Sequence, residues 1–148
     1  SDIVVDNKNK IINSKKASVL KDLDGNKIYL NTFEYLAKKN VFKSIGQVNI
    51  IDNKKNNFEF SQIYIDTKKN EILGADAKAF MNDQNFKSHK NNKPRIFANN
   101  LISNKEKTTF AKSVFTLCDY RKDDKCPPWS IQSSKMLHDN KKKNNLLR

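Results

Sequence analysis

The chain has 148 residues, a formal net charge of +13 and an apolar fraction of 36%. That length fits one domain, and that apolar fraction supports only a thin core. A balance this basic raises nucleic acid as a partner, but only Arg95, Arg121 and Arg148 among the 29 basic residues are arginine, the side chain favoured for bidentate base contacts. The lysines lie in many short clusters beside asparagine. They read either as solvated turns and charged strand edges that block aggregation or as a surface that attracts an anionic partner such as a phosphorylated lipid.

Taken in order, Ile3-Val4-Val5 forms a short apolar strand followed by a Lys/Asn turn. Ala17–Leu20 is the next strand, closed by the turn signal Asp24-Gly25-Asn26. Residues 28–36 alternate, with Ile28 and Leu30 on one face. Tyr29, Phe33 and Tyr35 break strict register, which predicts a β-bulge near Asn31-Thr32. Phe33–Lys39 is the best helix candidate and is too short to sustain a helical period.

Residues 36–83 repeat themselves. Val48 and Ile50 alternate with Gln47 and Asn49, Phe58 and Phe60 flank Glu59, and Ile63 and Ile65 flank Tyr64, the period-2 signature of strands with one buried face. Lys38-Lys39-Asn40 recurs as Lys68-Lys69-Asn70, each followed by an apolar pair, a glycine (Gly46, Gly74) and a further strand. A weaker copy upstream aligns at an offset of 31, Lys8-Asn9 on Lys39-Asn40 and Ala17 and Val19 on Val48 and Ile50. A period near 30 built from strands predicts stacked β units.

Residues 82–95 are polar and predict a long loop ending at Pro94. Strands resume at Ile96–Ala98, Leu101-Ile102 and Thr108–Cys118, the most β-prone run. After a charged loop, Trp129, Ile131 and Ser133 share one face of a last strand.

No catalytic arrangement emerges: the chain has no GxSxG, phosphate loop, GxGxxG or HExxH. Asp76 lacks a partner acid, and Cys118 with His138 lacks an orienting third group. No cofactor or metal set is expected. The two cysteines, Cys118 and Cys126, read as a disulfide that would contribute roughly 2–3 kcal/mol by closing a short loop, or as two reduced thiols. No apolar run approaches the length of a membrane-spanning helix. The start at Ser1 rather than Met implies a segment removed or left out upstream. The chain reads as a binding or assembly module rather than an enzyme. Its strands would fold a sheet over an apolar groove suited to acyl chains, or over a closed core.

The C-terminal third, from Phe110 through Thr116-Leu117-Cys118 and Trp129-Ser130-Ile131-Gln132-Ser133 to Lys135–Asp139, with the Gly74–Phe80 strand before it, resembles the N-terminal periplasmic domain of the LptD/OstA family of lipopolysaccharide-assembly proteins. The upstream repeats resemble the OstA repeat shared with LptA. The resemblance implies an all-β fold, an open β-jellyroll of antiparallel strands bent into a V, spanning residues 1–148 as one domain. It implies a lipopolysaccharide conduit at the periplasmic face of the outer membrane of a Gram-negative bacterium. Lipid A acyl chains would lie in an apolar groove lined by Val48, Ile50, Phe58, Phe60, Ile63, Ile65, Ile72, Phe80, Phe97, Phe110, Trp129 and Ile131, a list set by strand parity. The implied partners are an LptA-like protein docking by edge-strand pairing, a C-terminal barrel outside this chain, and an LptE-like lipoprotein, with no nucleic acid. Family members link cysteines of this domain to cysteines beside the barrel. Cys118 matches the family position, Cys126 offers a local pairing instead, and the N-terminal cysteine of better-known members is missing. The alternative reading is a structural β-solenoid module with a closed core and no lipid.

Overall fold

The computed structural model describes residues 2–82, 94–117 and 129–140. They form one antiparallel sheet of eleven strands. The strands are β1 (Ile3–Asp6), β2 (Ile11–Ser14), β3 (Ser18–Lys21), β4 (Lys27–Leu36), β5 (Val41–Ile51), β6 (Asn57–Phe60), β7 (Gln62–Asp66), β8 (Glu71–Phe80), β9 (Arg95–Ser103), β10 (Lys107–Thr116) and β11 (Ile131–Asp139). The helix candidate is the end of β4 followed by a single 3-10 turn at Ala37–Lys39. The apolar stretches at 96–98 and 101–102 are one strand. The loop expected over 82–95 falls mostly outside the described residues, as do Cys118 and Cys126.

Each long strand is interrupted near its middle, and the interruptions line up across the sheet. The β4–β5 register slips between Leu30 and Thr32, the bulge that the broken alternation of residues 28–36 predicts. Gly46, Asp76 and Lys112 adopt left-handed backbone, with φ of 85°, 50° and 48°. β6 and β7 are halves of one bent strand that parts at Ser61, since β6 and β7 pair with opposite halves of both β5 and β8. β2 and β3 are likewise halves of one strand laid along β4. The aligned interruptions make a crease perpendicular to the strands. It divides the sheet into two arms, one carrying β2 and β7 and the other β3 and β6.

The crease disturbs main-chain pairing, and buried serines repair it. The Phe33 N–H donates to Ser14 Oγ at 3.2 Å, and thirty residues later the Ile63 N–H donates to Ser44 Oγ at 2.8 Å. A buried N–H left without an acceptor would cost about 1–3 kcal/mol, so the hydroxyls explain why serine sits in an otherwise apolar interior.

The arm tips are turns of recurring chemistry. Lys10, Gly25, Asn40, Lys55 and Asn70 all have positive φ, each fifteen residues after the last. The 30-residue repeat is therefore two bent strands and two turns. In three turns an aspartate caps the loop closed: Asp6 accepts from Asn9, Asp22 from Asn26 and Asp52 from Asn56, through both backbone and side-chain N–H groups. Neighbouring turns also stack. The Asn53 N–H donates to Asn26 Oδ1 and its Nδ2 to the Asp24 carbonyl, and Asn82 repeats both bonds to Asn56 and Lys54. On the other arm the Ala37 N–H reaches the Lys10 carbonyl and the Thr67 N–H the Asn40 carbonyl. Asn-rich turns thus tie adjacent hairpins together, and they account for much of the composition.

Two sequence alignments need correction. The left-handed equivalent of Gly46 is Asp76, thirty residues on, not Gly74. The upstream copy aligns at an offset of 30, with Ser14 matching Ser44, rather than 31. An error of one residue exchanges the two faces of a strand, so the offset of 31 puts the exposed Val19 where the inward Leu20 belongs.

Candidate functional site: an apolar mouth between two arms

Within each half-strand, inward residues alternate with outward ones. Across the crease the interval between inward residues lengthens from two to three. The inward sets are Ile28, Leu30, Phe33, Tyr35 in β4, then Phe58, Phe60, Ile63, Ile65 in β6–β7, and Ile96, Ala98, Leu101, Ser103 in β9. β8 follows the same spacing with Ile72, Gly74, Ala77, Ala79. In β5, where the left-handed residue is a glycine, the interval is four: Phe42, Ser44, Val48, Ile50. The parity switch turns both halves of a strand toward the same space, so the two arms share one core.

Next to the crease that core is filled. Ile63 is fully buried, and Leu30, Phe33, Val48, Phe60, Leu101 and Phe110 join it in a single cluster. The Phe33 and Phe42 rings stack at 5.2 Å between centroids. The Phe60 ring crosses the crease to cover Gly74, where an added Cβ would lie 2.4 Å from ring carbon Cδ1.

Toward the arm tips the burial of the inward side chains is less complete. Ile12, Leu20, Ile28, Tyr35, Ile50, Phe58, Ile65 and Ile96 are only partly buried and pack against the closed cluster. They form an apolar strip along the mouth of the bent sheet, from β2 and β3 to β9, between the two rows of turns. An apolar strip bordered by charged loops is suited to an aliphatic chain, since each CH₂ that it shelters contributes about 0.8 kcal/mol.

Of the groove residues expected from parity, Val48, Ile50, Phe58, Phe60, Ile63, Ile65 and Phe110 belong to this core or its mouth, and Ile72 takes the inward register opposite Ile65. Phe80 and Phe97 do not. They follow the outward register of β8 and β9 and meet edge to face on the outer surface, 6.3 Å apart. Simple alternation fails there because the crease at Asp76 resets the parity before Phe80. Trp129 precedes β11 and is 43% exposed, with its ring against Phe115, and Ile131 is 48% exposed. Both lie at the far edge of the sheet, away from the mouth cluster. The parity reading missed five of the mouth residues, Ile12, Leu20, Ile28, Tyr35 and Ile96, and beside them Leu30, Phe33, Phe42, Leu101 and Met136. The two-three-two interval finds those that lie in β4 and β9.

His138, on the edge strand β11, is the one half-buried titrating group at this end with a shifted pKa among the described residues. Burial, and then the Lys54 ammonium, hold its pKa below 6.5, with Asp139 opposing. Protonation is therefore easier in the unfolded chain. Stability present above the unfolded value near 6.5 is lost as pH falls through the lower folded value. His138→Gln removes this contribution. Its urea midpoint should fall less than that of the parent between about pH 7.5 and pH 5; parallel curves for the two proteins would show that His138 is not the sensor.

The sheet has open edges: β1 and β3 at one end and β11 at the other lack a neighbour on one side among the described residues. Ile3, Val4, Val5 and Val19 are exposed at the first edge and Leu137 at the second. Exposed apolar edges favour pairing with another chain; β1 and β3 are four residues each and β11 is nine. Compared with known proteins, the chain matches no family model and no curated protein.

Proposed function

We propose that the chain is a lipid-carrying module that holds lipopolysaccharide by its acyl chains in the mouth of the bent sheet, as an OstA-type conduit. In this reading it receives the lipid from an LptA-like protein paired to an open edge and passes it to an outer-membrane barrel with an LptE-like partner. The observation that carries the reading is the strip of half-buried apolar side chains between the arms. A closed β-module would hide those side chains, and a protein with nothing to bind has no evident use for eight such residues along one strip. The filled crease favours the competing structural module, because the enclosed interior leaves room only at the mouth.

Photo-crosslinking to lipopolysaccharide separates the two. A benzophenone side chain placed in turn at Ile50, Phe58 and Ile65 should capture the lipid, and one at Lys55 in the turn or at Phe97 on the outer face should not. No capture from any mouth position in a folded protein would leave the structural module.

A further inference from the structure

The outer face carries a second concavity that the acyl reading does not use. It is a cavity of about 600 Å³ on the arm of β3, beside the crease, and its lining includes the outward side chains of β3, β4, β5, β6 and β8. Its volume is that of an ordinary small-ligand pocket. One row of register partners crosses it: Val19 faces Tyr29, Tyr29 faces Asn49, Asn49 faces Glu59, and Glu59 faces Lys78. Asn31, Gln47, Ser61 and Asp76 follow along the crease.

Three features of this lining point to a ligand. The Asn49 side-chain amide lines the cavity and has no hydrogen-bond partner, its Oδ1 being shielded from solvent as those of Asn13 and Asn57 are elsewhere, which leaves the Nδ2 group as its available donor. Glu59 and Lys78 are directly opposed, yet the ion pairs among the described residues do not include one between them, so a carboxylate and an ammonium both remain available. Tyr29 is a large aromatic side chain left 39% exposed beside these polar groups.

The charge decides the ligand class. The chain as a whole is +13, but the cavity lining holds one cation, Lys78, against two acids, Glu59 and Asp76. A phosphate or a nucleic acid would meet net negative charge here. The Asp76 carboxylate is already engaged by the Ser61 hydroxyl at 2.7 Å. What remains is a set of neutral amides that both donate and accept, one acid, one ammonium and a ring with an apolar face. Vicinal hydroxyls satisfy such a set, while the C–H face of a pyranose covers the tyrosine ring. We propose that this outer cavity binds a neutral saccharide of two to three units. The site lies on the face opposite the acyl mouth and does not depend on that reading.

The test uses the full chain, isotopically labelled, titrated separately with maltotriose, cellotriose and triacetylchitotriose to about 20 mM, well above a millimolar Kd. At least one probe should shift the side-chain amide signals of Asn31, Gln47 and Asn49 and the ring signals of Tyr29, and leave Phe80 and Phe97 unmoved. Tyr29→Ala and Glu59→Gln, both outside the core cluster, should each weaken that binding about tenfold while the thermal melt stays cooperative, and Glu59→Gln should leave the midpoint nearly unchanged. If none of the three sugars moves these signals, or if neither substitution weakens binding, the proposal is overturned.

Discussion

Gly74→Ala will destabilise the protein by about 1–3 kcal/mol, and the loss will shrink when Phe60 is also truncated. The new methyl group has nowhere to go: its position lies 2.4 Å from Phe60 Cδ1 and 2.5 Å from Cε1. Phe60 is buried in the central cluster, so its ring yields only by displacing its neighbours. Phe60→Ala alone costs about 3–5 kcal/mol, because it leaves a cavity where the arms meet. The double variant fills part of that cavity with the new methyl. It should therefore be more stable than the sum of the two single losses by at least about 1 kcal/mol. Denaturant midpoints of the four proteins close the cycle. Additive losses would mean that the ring does not rest on Gly74, and the packing across the crease would have to be redrawn.

A larger effect is expected from removing one residue. Deleting Asp76 should abolish cooperative folding, a loss above about 4 kcal/mol. Asp76 is where β8 changes parity: before it Ile72 and Gly74 are inward, and after it Ala77 and Ala79 are inward while Lys78 is exposed. Without it β8 slips by one residue against β9. Held in the creased register, Lys78 takes the place of Ala77 opposite Ala98 and Phe80 that of Ala79, burying an ammonium without a partner, whereas plain alternation would keep the alanines inward only by flattening the crease that its neighbours retain. The pairing of Ala77 with Ala98 on β9 would be lost at the same step. Asp76→Asn is the matching control. It keeps a side chain that tolerates left-handed backbone and still accepts from the Ser61 hydroxyl, and should cost less than about 1 kcal/mol. Near-ultraviolet circular dichroism and thermal melts distinguish the outcomes. A deletion variant that melts like the parent would show that the sheet absorbs the missing residue elsewhere, and the crease would not govern which face is buried.

The same crease explains where strand parity succeeds and fails as a guide to the candidate site. Val48, Ile50, Phe58 and Phe60 lie within single half-strands, so alternation places them correctly. Phe80 lies beyond Asp76, and Phe97 precedes the interruption of β9 on the opposite face from Ile96 and Ala98; both are therefore outside. The outer cavity was not visible in the sequence at all, because Tyr29, Asn49, Glu59 and Lys78 come from four strands and meet only through their register.

By itself the sequence determined the all-β class, the two-strand repeat, the bulge in β4 and most of the strands. Those features rest on local physics: period-2 alternation, turn residues that accept positive φ, and Asp/Asn side chains that close their own loops. Only the tertiary structure decided which faces share a core, because that depends on a one-residue interruption repeated in strands far apart in the chain. Its position in each strand is fixed by the neighbour it pairs with. An isolated Asp76 or Lys112 gives no sign of being left-handed, and the alignment of such interruptions in neighbouring strands is what turns a flat ribbon into two arms with a mouth.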